Sequence, residues 1–369
     1  MSFTLKNKDP NSEARIGAII TKSGTVETPV FMPVCTKGVP KTLTTNSLKE
    51  IGFDMVVANA YHLFLKPGHK EIKQYGGLHS FINWKNSILS DSGGFQVYSL
   101  SPSSKISDDG VEFKSFIDGS LNFISPELSI EIQEYLGSDI MMIFDDCPKP
   151  DSEYSRVLES INRTKDWAVR SKKSKKTNSL LFGIVQGGIY EDLRKTSLEH
   201  MLEIGFDGYA IGGLGLGEGQ SRTYEITNQI CSMLPKDKPR YSMGIGKPED
   251  IIKSVELGVD VFDCVVPTRN ARNGTLYTKN GKINIKNSEF HMSDSLIDED
   301  DINHPCSNYS LGYIRHLYTS KEMTALSLMT MNNLYFYKQL IEAIKKSIKD
   351  GKFIEFKRAF LERYQNEVN

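Results

Sequence analysis

Ser125-Pro-Glu-Leu-Ser-Ile-Glu-Ile-Gln-Glu-Tyr-Leu-Gly137 followed by Asp139-Ile-Met-Met-Ile-Phe144 is the stretch on which the fold turns. The first part reads as one amphipathic helix. Ser125 stands at the N-cap, Pro126 at the first helical position, where a missing N–H costs nothing, and Gly137 just past the end. Leu128, Ile132, Tyr135 and Leu136 supply its apolar stripe. The second part is apolar almost throughout, as expected of a strand covered on both faces.

The same unit recurs on either side. Short apolar runs at Val30–Val34, Met55–Asn59, Ser87–Ser90, Asp139–Phe144, Leu180–Gln186, Gly208–Gly212, Arg240–Gly244 and Val259–Val265 predict eight strands. Further helices are expected at Glu191–Ile204, Ser221–Leu234 and Pro248–Leu257. Strands alternating with helices predict an α/β fold with a parallel sheet, and the number eight favours a closed (β/α)8 TIM barrel over a doubly wound open sheet. Two hairpins interrupt the alternation, one within 101–123 around Asp118-Gly119 and one within 274–286 around Asn280-Gly281. Leu311–Tyr364 is mostly helical and rich in lysine. The expected organisation is a barrel over residues 1–270 and a C-terminal lobe over 271–369.

Composition narrows the class of function. The 369 residues are 39% hydrophobic and 25% charged, enough apolar surface for a large core and incompatible with a disordered chain. The longest apolar run, near Ile140–Phe144, falls far short of the roughly 18 residues of a membrane helix, and the N-terminus lacks signal-peptide features. A cytoplasmic protein with no membrane partner is expected. The formal charge of −1 requires any nucleic-acid partner to meet a local basic face. Arg170-Ser-Lys-Lys-Ser-Lys-Lys176 reads first as a solvated helix end. Five scattered cysteines without a C-x-x-C pair fit reduced thiols.

The loops at the C-terminal ends of barrel strands form the open concave face. Asn59, Asp91, Asp145, Gln186, Gly212-Gly213, Met243-Gly244 and Asp263 all fall there. Each aspartate alone is equally explained as a cap for the next helix or turn. Three carboxylates, a glutamine and a glycine-rich loop on one rim call for more than capping.

These segments carry a resemblance. Ser90-Asp-Ser-Gly-Gly-Phe-Gln96, Phe144-Asp-Asp-Cys147, Phe182-Gly-Ile-Val-Gln-Gly-Gly188, Gly212-Gly-Leu-Gly-Leu-Gly-Glu218, Tyr241-Ser-Met-Gly-Ile-Gly246 and Phe262-Asp-Cys-Val-Val-Pro-Thr-Arg-Asn-Ala-Arg-Asn-Gly274 resemble, in order, the motifs of tRNA-guanine transglycosylase, also called queuine tRNA-ribosyltransferase. The resemblance runs from about Arg15 to about Tyr337. It implies a transferase that replaces the wobble guanine of GUN-anticodon tRNAs by a 7-deazaguanine without cutting the backbone, in queuosine biosynthesis. Asp263 would be the nucleophile and Asp91 the general acid/base. Asp91, Ser92, Gly93, Gly94, Phe95, Asp145, Cys147, Gln186, Gly213, Leu214, Leu216 and Met243 would surround the base. Asp145 would match its N–H donors, Gln186 and the Gly213 N–H its carbonyl, and Phe95 and Met243 its two faces. Phe95 and Met243 are otherwise ordinary core residues.

Leu216 stands where the eukaryotic-type enzyme has a glycine, and Cys147 fits the bacterial pattern. Both point to the small precursor 7-aminomethyl-7-deazaguanine; direct use of queuine is the alternative. Gly244, Ile245, Gly246, Lys247, Pro248, Glu249 and Asp250, with Thr268, Arg269, Asn270, Ala271 and Arg272, correspond to loops that contact tRNA.

One part of the pattern fails. The family's zinc motif, C-x-C-x-x-C with a histidine about 26 residues on, aligns with Asp301, Asn303, Cys306 and Asn332, so one ligand in four remains and the inherited site is expected to be lost. His304 beside Cys306 reads first as plain surface and second as a replacement ligand. No organic cofactor is implied. The family's homodimer, supported by this lobe, is less firmly implied here than the chemistry. Two competing readings are a non-catalytic tRNA-binding relative, disfavoured because Asp91, Asp145 and Asp263 are all present, and a nucleotide-binding barrel using Gly212–Gly219, which lacks a Walker A sequence.

Overall fold

A computed structural model describes residues 2–96, 104–298, 301 and 303–365. Residues 101–103 of the first hairpin insertion and Ile302 of the degenerate motif lie outside the described residues. Nine parallel segments form one sheet in the order Val30–Met32, Val261–Asp263, Arg240–Ser242, Gly208–Ile211, Leu180–Val185, Ile140–Met142, Ser87–Ser90, Met55–Ala58, Val34–Cys35. The first and last are two halves of one strand, parted by Pro33, which has no N–H to give the ladder. The ring therefore closes on eight strands. The fold is a (β/α)8 barrel, and the open doubly wound sheet is excluded.

Most strands stop one or two residues earlier than their apolar runs, because the last residues leave the ladder to form the rim. The run Asp139–Phe144 pairs only over Ile140–Met142. The helix Pro126–Leu136 forms as its sequence predicts: the Ser125 hydroxyl accepts the Leu128 N–H at 3.2 Å, and Gly137 ends it at φ 71°. Glu191–Ile204 is helical over its whole expected length, while the next two helices run over Gln220–Met233 and Pro248–Glu256.

An antiparallel sheet of Phe3–Lys8, Arg15–Thr21 and Gly24–Thr28 lies outside the eight expected strands; its two outer strands are mostly exposed, whereas residues 15–19 of the central one are buried. It closes the bottom of the barrel. Arg15 donates to both oxygens of Asp260, from Nε at 2.9 Å and from Nη2 at 2.5 Å, and the Ser23 N–H donates to Asp139 at 3.1 Å. Both aspartates sit at the N-terminal ends of strands. They also accept neighbouring backbone amides, Arg240 N–H for Asp260 and Ile88 N–H for Asp139, each at 2.8 Å.

The first hairpin pairs Val111–Lys114 with Leu121–Ile124 and gains Lys105–Ile106 as a third strand. In the second, Thr278 pairs with Gly281, so the two-residue loop is Lys279-Asn280, one residue before the expected Asn-Gly turn. The Thr278 hydroxyl sets that register by accepting the Asn280 N–H at 3.2 Å and donating to the Gly281 carbonyl at 2.9 Å. The C-terminal helices are Leu311–Thr319, Met323–Lys349 and Phe353–Gln365. The long one belongs to two cores. Its Leu334, Tyr337, Ile341 and Ile344 pack with the barrel, whereas Ala325, Leu328 and Met329 join Ala271, Leu276, Cys306 and Ile314 in a separate cluster.

The Arg15–Asp260 pair is wholly buried, so removing one partner strands a charge. Asp260→Ala should lower unfolding free energy by about 3–5 kcal/mol in urea titration, with activity per folded molecule unchanged.

Candidate active site

Three aspartates meet at the opposite mouth. Asp263 is the last residue of its strand, and its Oδ1 accepts the Tyr241 hydroxyl at 2.6 Å and the Gly244 N–H at 3.0 Å. Gly244 aims that N–H from φ 74°, a conformation open to glycine. Both bonds fall on one oxygen, which leaves Oδ2 without a hydrogen bond among the described residues. Burial raises the Asp263 carboxyl above its ordinary value, opposed by these two donors.

Asp91 follows the strand Ser87–Ser90. Its Oδ2 accepts Asn59 Nδ2 at 2.7 Å and its Oδ1 the Ala60 N–H at 2.8 Å. It thus takes the first N–H of the helix Ala60–Leu65, which precedes it in the chain and has Asn59 as its N-cap, so Asp91 does not cap the next helix as the capping reading expects. Asp91 and Asp263 are both half-buried at the rim. Burial pushes Asp91 up to about 7, and the charges of Asp263 and Asp145 push the same way. A carboxyl raised this far can both give up and take back a proton near neutral pH.

Asp145 is buried and raised to about 6, chiefly by desolvation. Its oxygens accept Ser92 Oγ at 3.2 Å and Gln186 Nε2 at 2.7 Å. The neighbouring Asp146 is a different kind of residue, ion-paired with Arg156 at 2.6 Å and Arg163 at 2.7 Å. Gln186 Nε2 keeps a second proton, while its buried Oε1 has no partner, an orphan that suits a site awaiting a ligand.

Two glycines make the close approach possible. A Cβ on Gly94 would lie 2.7 Å from the Asp145 carbonyl oxygen, and one on Gly213 would lie 2.6 Å from Gln186 Oε1. The latter would also come within 3.7 Å of Cys147 Sγ, placing Cys147 in the same pocket wall. Ser92, Gly93 and Leu214 are buried there, Phe95 is exposed, Met243 half-buried, and Leu216 exposed on the loop between.

The expected tRNA-contacting segments divide by exposure. Lys247 and Arg269 are exposed, and Arg272 is half-buried with Nη1 donating to the Thr268 carbonyl at 2.8 Å. Ile245, Gly246, Pro248, Thr268 and Ala271 are buried, so they shape the loops rather than face a strand. Asp250 is occupied by Tyr224 OH at 2.5 Å and Gln220 at 2.9 Å, and Glu249 faces Lys282 at 3.9 Å. Gly244 is exposed and Asn270 half-buried.

A family model described as queuine tRNA-ribosyltransferase matches residues 9–366. The chain belongs to that family. Relatives named queuine tRNA-ribosyltransferase include one from Thermoanaerobacter pseudethanolicus, 48% identical over 99% of this chain and 98% of its own. Another, from Caldanaerobacter subterraneus subsp. tengcongensis, is 49% identical over the same shares. A third, from Thermodesulfovibrio yellowstonii, is 50% identical over 98% of this chain and 94% of its own.

Three contributors to the site were not assigned from the family motifs. Tyr241 holds Asp263. Arg194, fully buried, donates to the carbonyls of Val185, Gly188, Gly212 and Gly213 at 2.9, 2.8, 2.7 and 3.3 Å, and so clamps the two loops around Gln186. Its signal in the sequence is phase, for it shares the buried face of its helix with Ser197, Leu198 and Met201. Glu218 accepts the N–H groups of Gly215, Leu216 and Gly217 at 2.5, 3.0 and 3.1 Å and fixes the glycine-rich loop. Among the described residues no three His, Cys, Asp or Glu side chains cluster as a metal would require.

Tyr241→Phe removes one of the two donors to Asp263 while keeping the ring. A hydrogen bond to a charged group contributes about 1.5–3 kcal/mol, so base exchange should slow by roughly 10- to 100-fold with little change in melting temperature.

Proposed function

We propose that the protein is a tRNA-guanine transglycosylase that replaces the wobble guanine of tRNA by 7-aminomethyl-7-deazaguanine through a ribosyl-aspartate intermediate. The observation that carries this reading is the pairing of two unlike carboxyls at one rim. Asp263 is held by one oxygen with the other unengaged, and Asp91, raised to about 7, feels the charge of Asp263.

In the first step an Asp263 oxygen bonds to ribose C1′ as the C1′–N bond breaks and its electron pair leaves with guanine. Asp91 gives its proton to the departing base. Esterification removes the negative charge at position 263, which lowers the proton affinity of Asp91 just when the proton is needed. The incoming base then returns a proton to Asp91, its nitrogen bonds to C1′, and Asp263 leaves as a carboxylate. Two inversions restore the sugar's configuration, as in retaining glycosidases.

Asp145 in its ionised form accepts the N–H donors of the base, and the second Gln186 proton and the Gly213 N–H serve the carbonyl. Glu218 pins the loop that carries Leu216, and a leucine at this position, in place of the glycine of the eukaryotic-type enzyme, would leave less room for a cyclopentenediol substituent, which favours the small precursor over queuine. Exposed Lys247 and Arg269 suit phosphates beside the wobble position.

Incubation of Asp263→Asn with tRNA and base should yield no covalent RNA–protein adduct on denaturing gels, while Asp263 enzyme yields one; equal trapping in both would remove Asp263 from its role. Asp145 must be ionised to accept two N–H groups, and its carboxyl is raised to about 6. Protonation below that pH turns an acceptor into a donor. The acid limb of kcat/KM for guanine should accordingly have a midpoint near 6, and a profile flat down to pH 5 would contradict it.

A further inference from the structure

Zinc needs four ligand atoms with free lone pairs, as thiolates or unprotonated imidazole nitrogens. Asp301, Cys306 and Asn332, at three of the family's metal positions, and His304 beside them have committed theirs. His304 Nδ1 accepts the Cys306 N–H at 3.1 Å, which places the ring proton on Nε2. Nε2 in turn lies 3.0 Å from Asn332 Oδ1. The orientation of that amide is settled independently, since Asn332 Nδ2 donates to the Tyr277 carbonyl at 3.1 Å and to Asn333 Oδ1 at 2.9 Å. The Cys306 thiol carries its proton and donates it to the Leu328 carbonyl at 3.3 Å. Asp301 is turned to the Tyr335 hydroxyl at 2.6 Å, and Asn303 is exposed. The residues present do not fit zinc.

We propose that His304, Asn332 and Asn333 form a metal-free hydrogen-bonded clasp that takes the place of the structural zinc and seats the helix Val266–Arg272 for RNA. His304 is buried, so the expectation of a plain surface histidine is corrected. Asn332 and Asn333 are buried too, one residue apart on the helix Met323–Lys349. From Asn333 the bonds run toward the RNA-facing side. Its Nδ2 donates to the Pro267 and Thr275 carbonyls, both at 3.0 Å, and its Oδ1 accepts the Tyr277 N–H at 2.9 Å. The Tyr277 hydroxyl accepts Asn270 Nδ2 at 2.7 Å, and the Tyr337 hydroxyl donates to the Gly246 carbonyl. Every polar atom of the two asparagine side chains is thereby used. Where a metal would tie loop to helix, paired amides and one imidazole tie loop, helix and hairpin together.

Three readings on the intact chain test this, and the first two do not depend on activity. Protein made in zinc-supplemented medium should carry under about 0.1 zinc per chain, and a chelator should leave its melting temperature unchanged. Stoichiometric zinc, or a chelator-induced drop, would overturn the metal-free clasp. Nitrogen NMR of histidine-labelled protein should show His304 as the neutral Nε2–H tautomer; a metal-shifted or Nδ1–H signal would contradict the bond pattern. The kinetic arm rests on the proposed tRNA exchange. His304→Ala should raise KM for tRNA about tenfold while kcat and KM for guanine stay within about twofold, and His304→Gln, which keeps a donor near Nε2, should recover most of the loss. A lowered melting temperature with unchanged KM for tRNA would reduce the cluster to a structural role. Absence of exchange in the unsubstituted enzyme would instead count against the activity, leaving the metal and NMR results standing.

Discussion

Three carboxyl groups share one barrel mouth with no ion pair to any of them among the described residues, and the rest of the site is arranged around that constraint. Each is supplied with two hydrogen-bond donors, enough to keep it in place but too few to cancel the desolvation that raises its proton affinity. Asp91 feels the other two charges as well and is the group left poised near neutrality. The arrangement opposes stability. A carboxyl whose folded pKa lies above its unfolded value binds more protons in the native state, so its contribution to stability is greatest below about pH 4 and is lost as pH rises toward 7.

The two ends of the barrel use the same residue type for opposite purposes. At the bottom, Asp260 meets Arg15 and Asp139 accepts backbone amides, so each negative charge is matched and the N-terminal sheet is fastened to the strands. At the top the three carboxyls have no ion pair among the described residues, with Asp91 and Asp263 half-buried and Asp145 buried. Asp145 and Asp146 make the contrast within one dipeptide: the first faces Gln186 and Ser92, the second two arginines.

Loop placement at the mouth depends on buried hydrogen bonding to main-chain groups. Arg194 holds four carbonyls around the Gln186 and Gly213 turns, Glu218 gathers three consecutive N–H groups, and Asn333 of the long helix reaches the backbone in the first turn of Val266–Arg272 and just beyond its end. Such bonds fix a loop whatever its sequence, and the side chains of Leu216, Lys247 and Arg269 stay exposed on the loops so fixed. The second core around Cys306 and Leu311 is small, so directional bonds from His304 and Asn332 supply much of what holds it in register.

The barrel, its strand count and the identity of the rim residues were written in the sequence, because burial on both faces demands apolar runs and a turn at each strand end admits polar residues whose order along the chain is preserved. The N-terminal sheet was not legible, since one-sided strands such as Phe3–Lys8 carry too weak a pattern. Only the tertiary structure decided which partners each polar atom found. Which oxygen of Asp263 is held, that Arg194 points at the Gly212 carbonyl instead of an acid, that His304 Nε2 meets Asn332, and that Asp250 is tied to Tyr224 all depend on residues well separated in the chain. Hydrogen bonds act over about 3 Å, and a linear sequence sets residue types and local periodicity but not which distant atoms come within that reach.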